Sequence, residues 1–280
     1  MRATRTETIL RRGGRPRRRI IFGLVCLLLA PAPPARAQQP FVTDDADVTG
    51  RGKFHFEFSD EFDLLQPAAF PNLKQNTASF ELAYGLLENV EVGIEAPLIA
   101  IFNAREAAPR TAFGLGDSNL SVKYNFLRER DGSRRPALAA SFSVELPTGD
   151  ARHQLGSGIA DFTLNGVLQK TLTKSSTWRL NGGVIFSGNA LTGAVGLGTR
   201  GAVFTGGTSL VRKFTPRLDL GAEVTGAFAR NSDLGKGQLQ AQGGGNYRLR
   251  DNLSLDFGVI GGRFAASPRL GAQLGLSLDF

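Results

Sequence analysis

The chain has 280 residues with 33 Lys and Arg against 25 Asp and Glu, yet nine of the basic residues and one acidic residue fall within residues 1–37. The remainder is balanced at 24 of each sign, which removes the basic surface that nucleic-acid binding needs. The single cysteine, Cys26, lies in the same leading segment, so the rest of the chain has neither a disulfide framework nor a thiolate metal site.

Residues 2–19 carry eight Arg against Glu7, and an apolar run, IIFGLVCLLLAPA, follows before ARA at 35–37. A basic region, a short apolar core and an A-x-A site predict a secretory signal peptide over residues 1–37, removed after Ala37. The apolar run is too short to span a bilayer, which takes about 20 apolar residues in a helix. Residues 38–50 read as an arm, periplasmic or lumenal. Its TDDAD stretch, with Asp44, Asp45 and Asp47, offers oxygen ligands of the kind Ca²⁺ takes. A solvated arm, or one tucked into a lumen, is the preferred reading.

From residue 51 onward a period of two dominates. KFHFEFSDEF sets Phe54, Phe56, Phe58 and Phe62 on one face and His55, Glu57, Ser59 and Glu61 on the other. ASFELAY, VEVGIEAPL, NLSVKYNF and LAASFSVEL repeat this pattern, as do DFTLNGVLQ and WRLNGGVIF. The stretch at 203–214 is ambiguous, because neither parity is cleanly apolar. LDLGAEVTGAF restores the alternation, QLQAQGGGNYRL and LSLDFGVIGG follow, and RLGAQLGLSLDF closes the chain. Twelve strands are expected. The 35 Gly and the lack of an i, i+3, i+4 apolar stripe argue against helices.

Alternation also describes a soluble sandwich, so the connections discriminate. Longer ones near 63–76, 99–116, 147–160, 187–200, 229–237 and 264–269 alternate with shorter ones near 85–89, 127–136, 170–177, 214–217 and 249–252. This asymmetry predicts an all-β fold, a closed antiparallel transmembrane β-barrel over residues 51–280 with short periplasmic turns and longer external loops. Tyr84, Tyr124, Trp178 and Tyr247 fall at strand ends beside short connections, where a barrel places an aromatic girdle. The closing LGLSLDF places Leu274, Leu276, Leu278 and Phe280 on one face. A closed barrel needs that last strand paired with the first, because no unpaired edge survives in hydrocarbon.

The terminal Phe280 resembles the C-terminal signature by which the outer-membrane assembly machinery recognises bacterial barrels. PFVTDDADVTGRGKFHFEF, GLGDSNLSVKY at 114–124 and VELPTGD at 144–150 resemble the family of outer-membrane transporters named after the meta-cleavage pathway of phenol degradation. The resemblance implies a barrel in the outer membrane of a Gram-negative bacterium, reached after signal-peptide export, embedded in lipid and moving small molecules, with aromatic compounds or organic acids as solute classes. It supplies no catalytic motif to transfer.

By parity the lumen receives His55, Glu57, Glu81, Glu91, Glu95, Lys123, Glu145, Asp161, Arg179, Asp219, Glu223, Arg248 and Asp256. His55, Glu57, Glu81, Glu95, Lys123, Glu145, Arg179, Glu223 and Arg248 are the pore-lining candidates, with Glu81, Glu95, Glu145 and Lys123 furthest from strand ends. Cross-strand pairing that stiffens the wall is the competing role for each of them. The overall charge balance argues against strong ion selectivity. Asp60 falls on the lipid face, where a charge is tolerated near a rim. A structural or surface-contact barrel with a plugged lumen is the second reading. A hydrolase built on Asp150, His153 and Ser157 is a third, since Ser, His and an acid together make a nucleophile system. No cofactor, metal or catalytic residue is expected.

Overall fold

The computed structural model describes residues 40–130, 132–186, 202–229 and 237–280. The expected signal peptide, 1–37, and the loop at 187–200 lie outside the described residues. Thirteen strands are formed among the described residues. In chain order they are β1 (Phe54–Leu64), β2 (Asn72–Leu87), β3 (Val90–Asn103), β4 (Thr111–Leu115), β5 (Ser118–Leu127), β6 (Ala137–Leu146) and β7 (Asp161–Thr173). They continue with β8 (Ser176–Phe186), β9 (Val203–Lys213), β10 (Leu218–Ala229), β11 (Gln238–Arg250), β12 (Leu253–Gly262) and β13 (Leu270–Asp279).

Consecutive strands pair antiparallel, except that β4 and β5 both pair with β3, and β1 pairs on one side with β2 and on the other with β13, so the sheet closes. The final strand is held along its length, from Leu64 opposite Leu270 to His55 opposite Asp279. Closure removes the edge that a membrane would not tolerate. The ring has twelve positions rather than thirteen, because β4 and β5 share one: β5 pairs with Val90–Glu95 of β3 and β4 with Leu98–Phe102. Gly116 and Asp117 bulge between them. The segment expected as one loop over 99–116 therefore contains the outer part of β3 and all of β4. Loop-length reasoning misses this, since TAFGL is too short to show alternation.

The connections are unequal at the two rims. Residues 88–89, 174–175 and 251–252 are two-residue turns, 214–217 is a four-residue turn, and 128–136 is longer. At the other rim, residues 65–71, 104–110, 147–160 and 263–269 make the loops that are described in full. Side chains alternate as pleated strands require. Phe62, Phe80, Leu120, Phe142, Leu164, Phe204 and Leu276 are exposed on the outer surface, while His55, Glu57, Lys123, Asp161, Glu223 and Asp256 are buried inside. This is the inverse of a soluble core, and it matches lipid outside and a polar lumen within.

The ambiguous β9 resolves in the same way. Phe204 and Leu210 face outward, and the outward Thr208 accepts from Trp178 Nε1 at 2.7 Å while donating to the Arg179 carbonyl at 2.9 Å. Arg212, near the short-turn rim, lies over the Phe214 ring at 5.5 Å, a snorkelling arrangement. Outward Asp60 accepts from Asn76 Nδ2 at 2.9 Å. Rings pair at the short-turn rim, Phe54 with Tyr84 at 4.8 Å and Tyr124 with Phe126 at 6.3 Å between centroids. No helix among the described residues is long and apolar enough to cross a membrane.

Candidate functional site

Residues 40–50 lie inside the ring and touch most of its wall. At the start of this arm, Gln242 Nε2 of β11 donates to the Pro40 carbonyl at 2.6 Å. Glu223 of β10 then takes three hydrogen bonds at once: from Val42 N and Thr43 N at 2.9 Å and from Thr43 Oγ1 at 2.8 Å. The wall is thin where the arm is thick. A Cβ at Gly221 would sit 2.9 Å from Phe41 Cζ, and one at Gly207 would sit 2.8 Å from Thr43 Cγ2.

Further along, the arm's acids meet the two interior cations carried by mid-strand positions. Lys123 Nζ lies 3.0 Å from Asp44 Oδ1 and 3.4 Å from Asp45 Oδ1, with Glu91 Oε1 at 3.9 Å. Arg179 lies 3.5 Å from the other Asp45 oxygen and donates through Nε to Gln169 at 3.2 Å. Wall amides read the arm's backbone: Asn181 donates to the Asp44 carbonyl at 3.3 Å and Asn125 to the Ala46 carbonyl. Ala46 itself is fully buried against Ala137, Ala139 and Val167. Gln169 reaches Asp47 at 3.2 Å, and Thr49 N donates to Glu91 at 2.6 Å. The arm leaves at the short-turn rim through Gly50 and Gly52, the latter at φ +75°, where Arg51 bridges Gly85 of β2.

The register also assembles a slanting row of carboxylates, from Glu57 near the short-turn end of β1 to Asp161 at the long-loop end of β7. Glu57 of β1 stands opposite Glu81 of β2, Glu81 opposite Glu95 of β3, Glu95 opposite Asn119 of β5, Asn119 opposite Glu145 of β6, and Glu145 opposite Asp161 of β7. Five of six neighbouring positions carry acids. Among the described residues, no ion pair reaches Glu81, Glu95, Glu145 or Asp161, so cross-strand charge pairing does not explain them. Like charges facing each other cost stability. The Oδ1 atoms of Asp161 and Asp256 have no protein partner, and a buried acceptor of this kind demands water.

The remaining candidates fall at the short-turn rim. His55 is held between Asp279 at 2.5 Å and Glu57 at 2.8 Å, and Arg248 donates to the Pro216 carbonyl at 3.3 Å. The charge balance of the whole chain is misleading for the lumen. Exposed Arg128, Arg130, Arg134, Arg135, Lys174, Lys213, Arg217 and Arg250 gather at the short-turn rim, leaving the interior rich in acids. Alternation in NLSVKYNF, DFTLNGVLQ and WRLNGGVIF puts Asn125, Gln169 and Asn181 on the polar face, but nothing in it marks them as partners of the arm. The signal was their amide chemistry on the polar face.

At the opposite mouth, the loop at 147–160 folds inward. Leu155 packs on Ile99, Ile101 and Ala112, and Gly149 N and Ser157 N both donate to the Asp117 carboxylate, at 2.9 and 2.5 Å. In this loop His153 Nδ1 pairs with Asp150 at 2.7 Å, a contact that holds the Asp150 carboxyl below the usual range. The Ser157 hydroxyl is turned to the Ile159 carbonyl at 2.7 Å. The arrangement gives Asp150 and His153 to each other and Ser157 to its own loop. Among the described residues, no cluster of three or more His, Cys, Asp or Glu could hold a metal ion.

A closed twelve-position antiparallel ring with an apolar exterior and a charged interior defines a β-barrel membrane protein. Residues 41–280 match the family described as the MetA-pathway of phenol degradation, and the chain belongs to that family. No curated protein matches the sequence. Among solved structures, the COG4313 outer membrane channel from Pseudomonas putida F1 is similar in fold, with a TM-score of 0.66 and 14% identity over 86% of this chain and 100% of the other. The NanC porin gives 0.55 and 8% identity over 80% and 98%, and the KdgM porin gives 0.52 and 9% over 81% and 99%.

Proposed function

We propose that this protein is an outer-membrane channel for small solutes, with its interior acids favouring cations and with residues 40–50 standing in the path. The observation that carries the reading is the row Glu57, Glu81, Glu95, Glu145 and Asp161 inside a closed barrel. Carboxylates facing one another weaken the wall, whereas rings of acidic side chains select cations in pores. The family membership and the fold shared with channels and porins support the same reading.

Single-channel recording of purified protein in planar bilayers is the direct test. Reversal potentials are expected to show cation preference. Changing Glu81, Glu95 and Glu145 to Gln removes three charges at nearly constant volume and is expected to move the reversal potential toward anions without closing the pore. A barrel that folds yet conducts nothing, before or after these changes, overturns the channel reading. It favours instead a lumen plugged for good by residues 40–50.

The orientation follows from the loop asymmetry, with short turns and the mature N-terminal arm on the periplasmic side. Ala151, exposed in the loop at 147–160, is expected to react as Ala151→Cys with an impermeant maleimide on intact cells, while Arg134→Cys stays protected until the envelope is opened. Gly156 is the wrong place for the label, because a Cβ there would lie 2.3 Å from Asp117 Oδ1. Protection of residue 151 with labelling of residue 134 would invert the topology.

A further inference from the structure

The contacts of residues 40–49 form a recognition pattern rather than a filling. One carboxylate, Glu223, accepts two successive backbone N–H groups and a hydroxyl. Three amides, Gln242, Asn181 and Asn125, donate to the carbonyls of Pro40, Asp44 and Ala46. Two cations, Lys123 and Arg179, share the side chains of Asp44 and Asp45. Glycines 207 and 221 make room for Thr43 and Phe41. Backbone polar groups, acidic side chains and bulk are each met by a separate part of the wall, as in the recognition of an extended peptide.

We propose that the lumenal wall from β5 to β12 is a binding site for an extended acidic peptide, occupied here in cis by residues 40–49, so that the arm is an exchangeable blocker. The proposal rests on the channel reading only for the consequence of release, not for the binding itself. Once the arm is out, Lys123 and Arg179 lack the carboxylates of Asp44 and Asp45, and Glu91, at 3.9 Å, is the acid that stays within ion-pair reach of Lys123. The vacated wall therefore prefers an acidic ligand. A segment tethered to its site acts at an effective concentration of about millimolar, so a free peptide competes only at comparable concentrations when the arm is present, and far below them when it is removed.

The probe is the synthetic peptide PFVTDDADVT, with a second version in which Asn replaces both central Asp residues. Fluorescence anisotropy of the labelled peptide is measured against detergent-solubilised protein lacking residues 40–49, its folding verified by heat-modifiable mobility. Saturable binding is expected, weakened at least about tenfold in the Asn version and in Lys123→Gln, since each leaves a desolvated charge unpaired. A second measurement keeps the whole chain. Ala46→Cys, buried in the occupied state, is expected to react slowly with maleimide and several times faster in millimolar acidic peptide, but not in the Asn version. Equal binding of the two peptides, or no binding to folded protein together with unchanged labelling, overturns the proposal. Binding without any conductance in bilayers leaves the site standing and defeats the channel reading instead, while conductance without binding does the reverse.

Discussion

Removing residues 40–49 is expected to raise the single-channel conductance severalfold and to reduce the preference for cations. The first effect is steric. Phe41, Thr43, Asp45 and Ala46 are buried within the ring, so their loss opens cross-section that protein atoms now occupy. The second is electrostatic and comes from two sources. Three acids, Asp44, Asp45 and Asp47, leave the path, and the two cations they face, Lys123 and Arg179, are uncovered. A pore that merely widened would lose selectivity without acquiring positive charge. Adding Lys123→Gln and Arg179→Gln to the deletion should therefore restore part of the cation preference at the higher conductance. Conductance unchanged by the deletion would place the constriction elsewhere, with the inward loop carrying Leu155 as the next segment to shorten.

Placing a charge on the outer face is expected to cost far more than placing it on the inner face one residue away. Leu164, the fourth residue of β7 and half exposed, faces outward between Phe142 of β6 and Val184 of β8. Leu164→Arg puts a guanidinium on the lipid face, where the penalty rises from near zero at the rims to about 2–4 kcal/mol at the bilayer midplane. Asn165, the next residue, faces the lumen between Ser141 and Gly183, and Asn165→Lys places its ammonium in a polar, acid-rich interior. Urea titrations of folding into lipid vesicles should show the first variant strongly destabilised and the second close to wild type. Equal penalties at the two positions would mean that the inner and outer faces are misassigned.

The two faces are legible in the sequence because the information is local. A strand's side chains alternate by covalent geometry, so Phe54, Phe56 and Phe58 must oppose His55 and Glu57 wherever the strand ends up. A chain with many such segments joined by unequal loops has one arrangement that leaves no edge in lipid. That logic placed the last strand against the first, which the Phe56 to Leu278 and Phe58 to Leu276 register bears out. Where local signal was weak, the reading was weak. In β9, Gly206, Gly207 and Thr208 blur the parity, and only the neighbours on β8 and β10 decide it. β4 went unseen because five residues cannot display a period.

The interior is another matter, because it depends on which residues meet across the ring. Parity turned Glu81, Glu95 and Glu145 inward, but their place in one row with Asp161 follows from strand register, which bulges and turn lengths set and composition does not. The arm shows this most clearly. Asp44 and Asp45 are adjacent in the chain, yet their partners Lys123 and Arg179 are 78 or more residues away, and Glu223 lies 180 residues from Thr43. No periodicity within residues 38–50 distinguishes a solvated tail from a strap across a lumen. Alternation therefore specified the wall, its two surfaces and its closure. Only the closed ring, by bringing two carboxylates, two cations and four amides around one extended segment, decided what the wall holds.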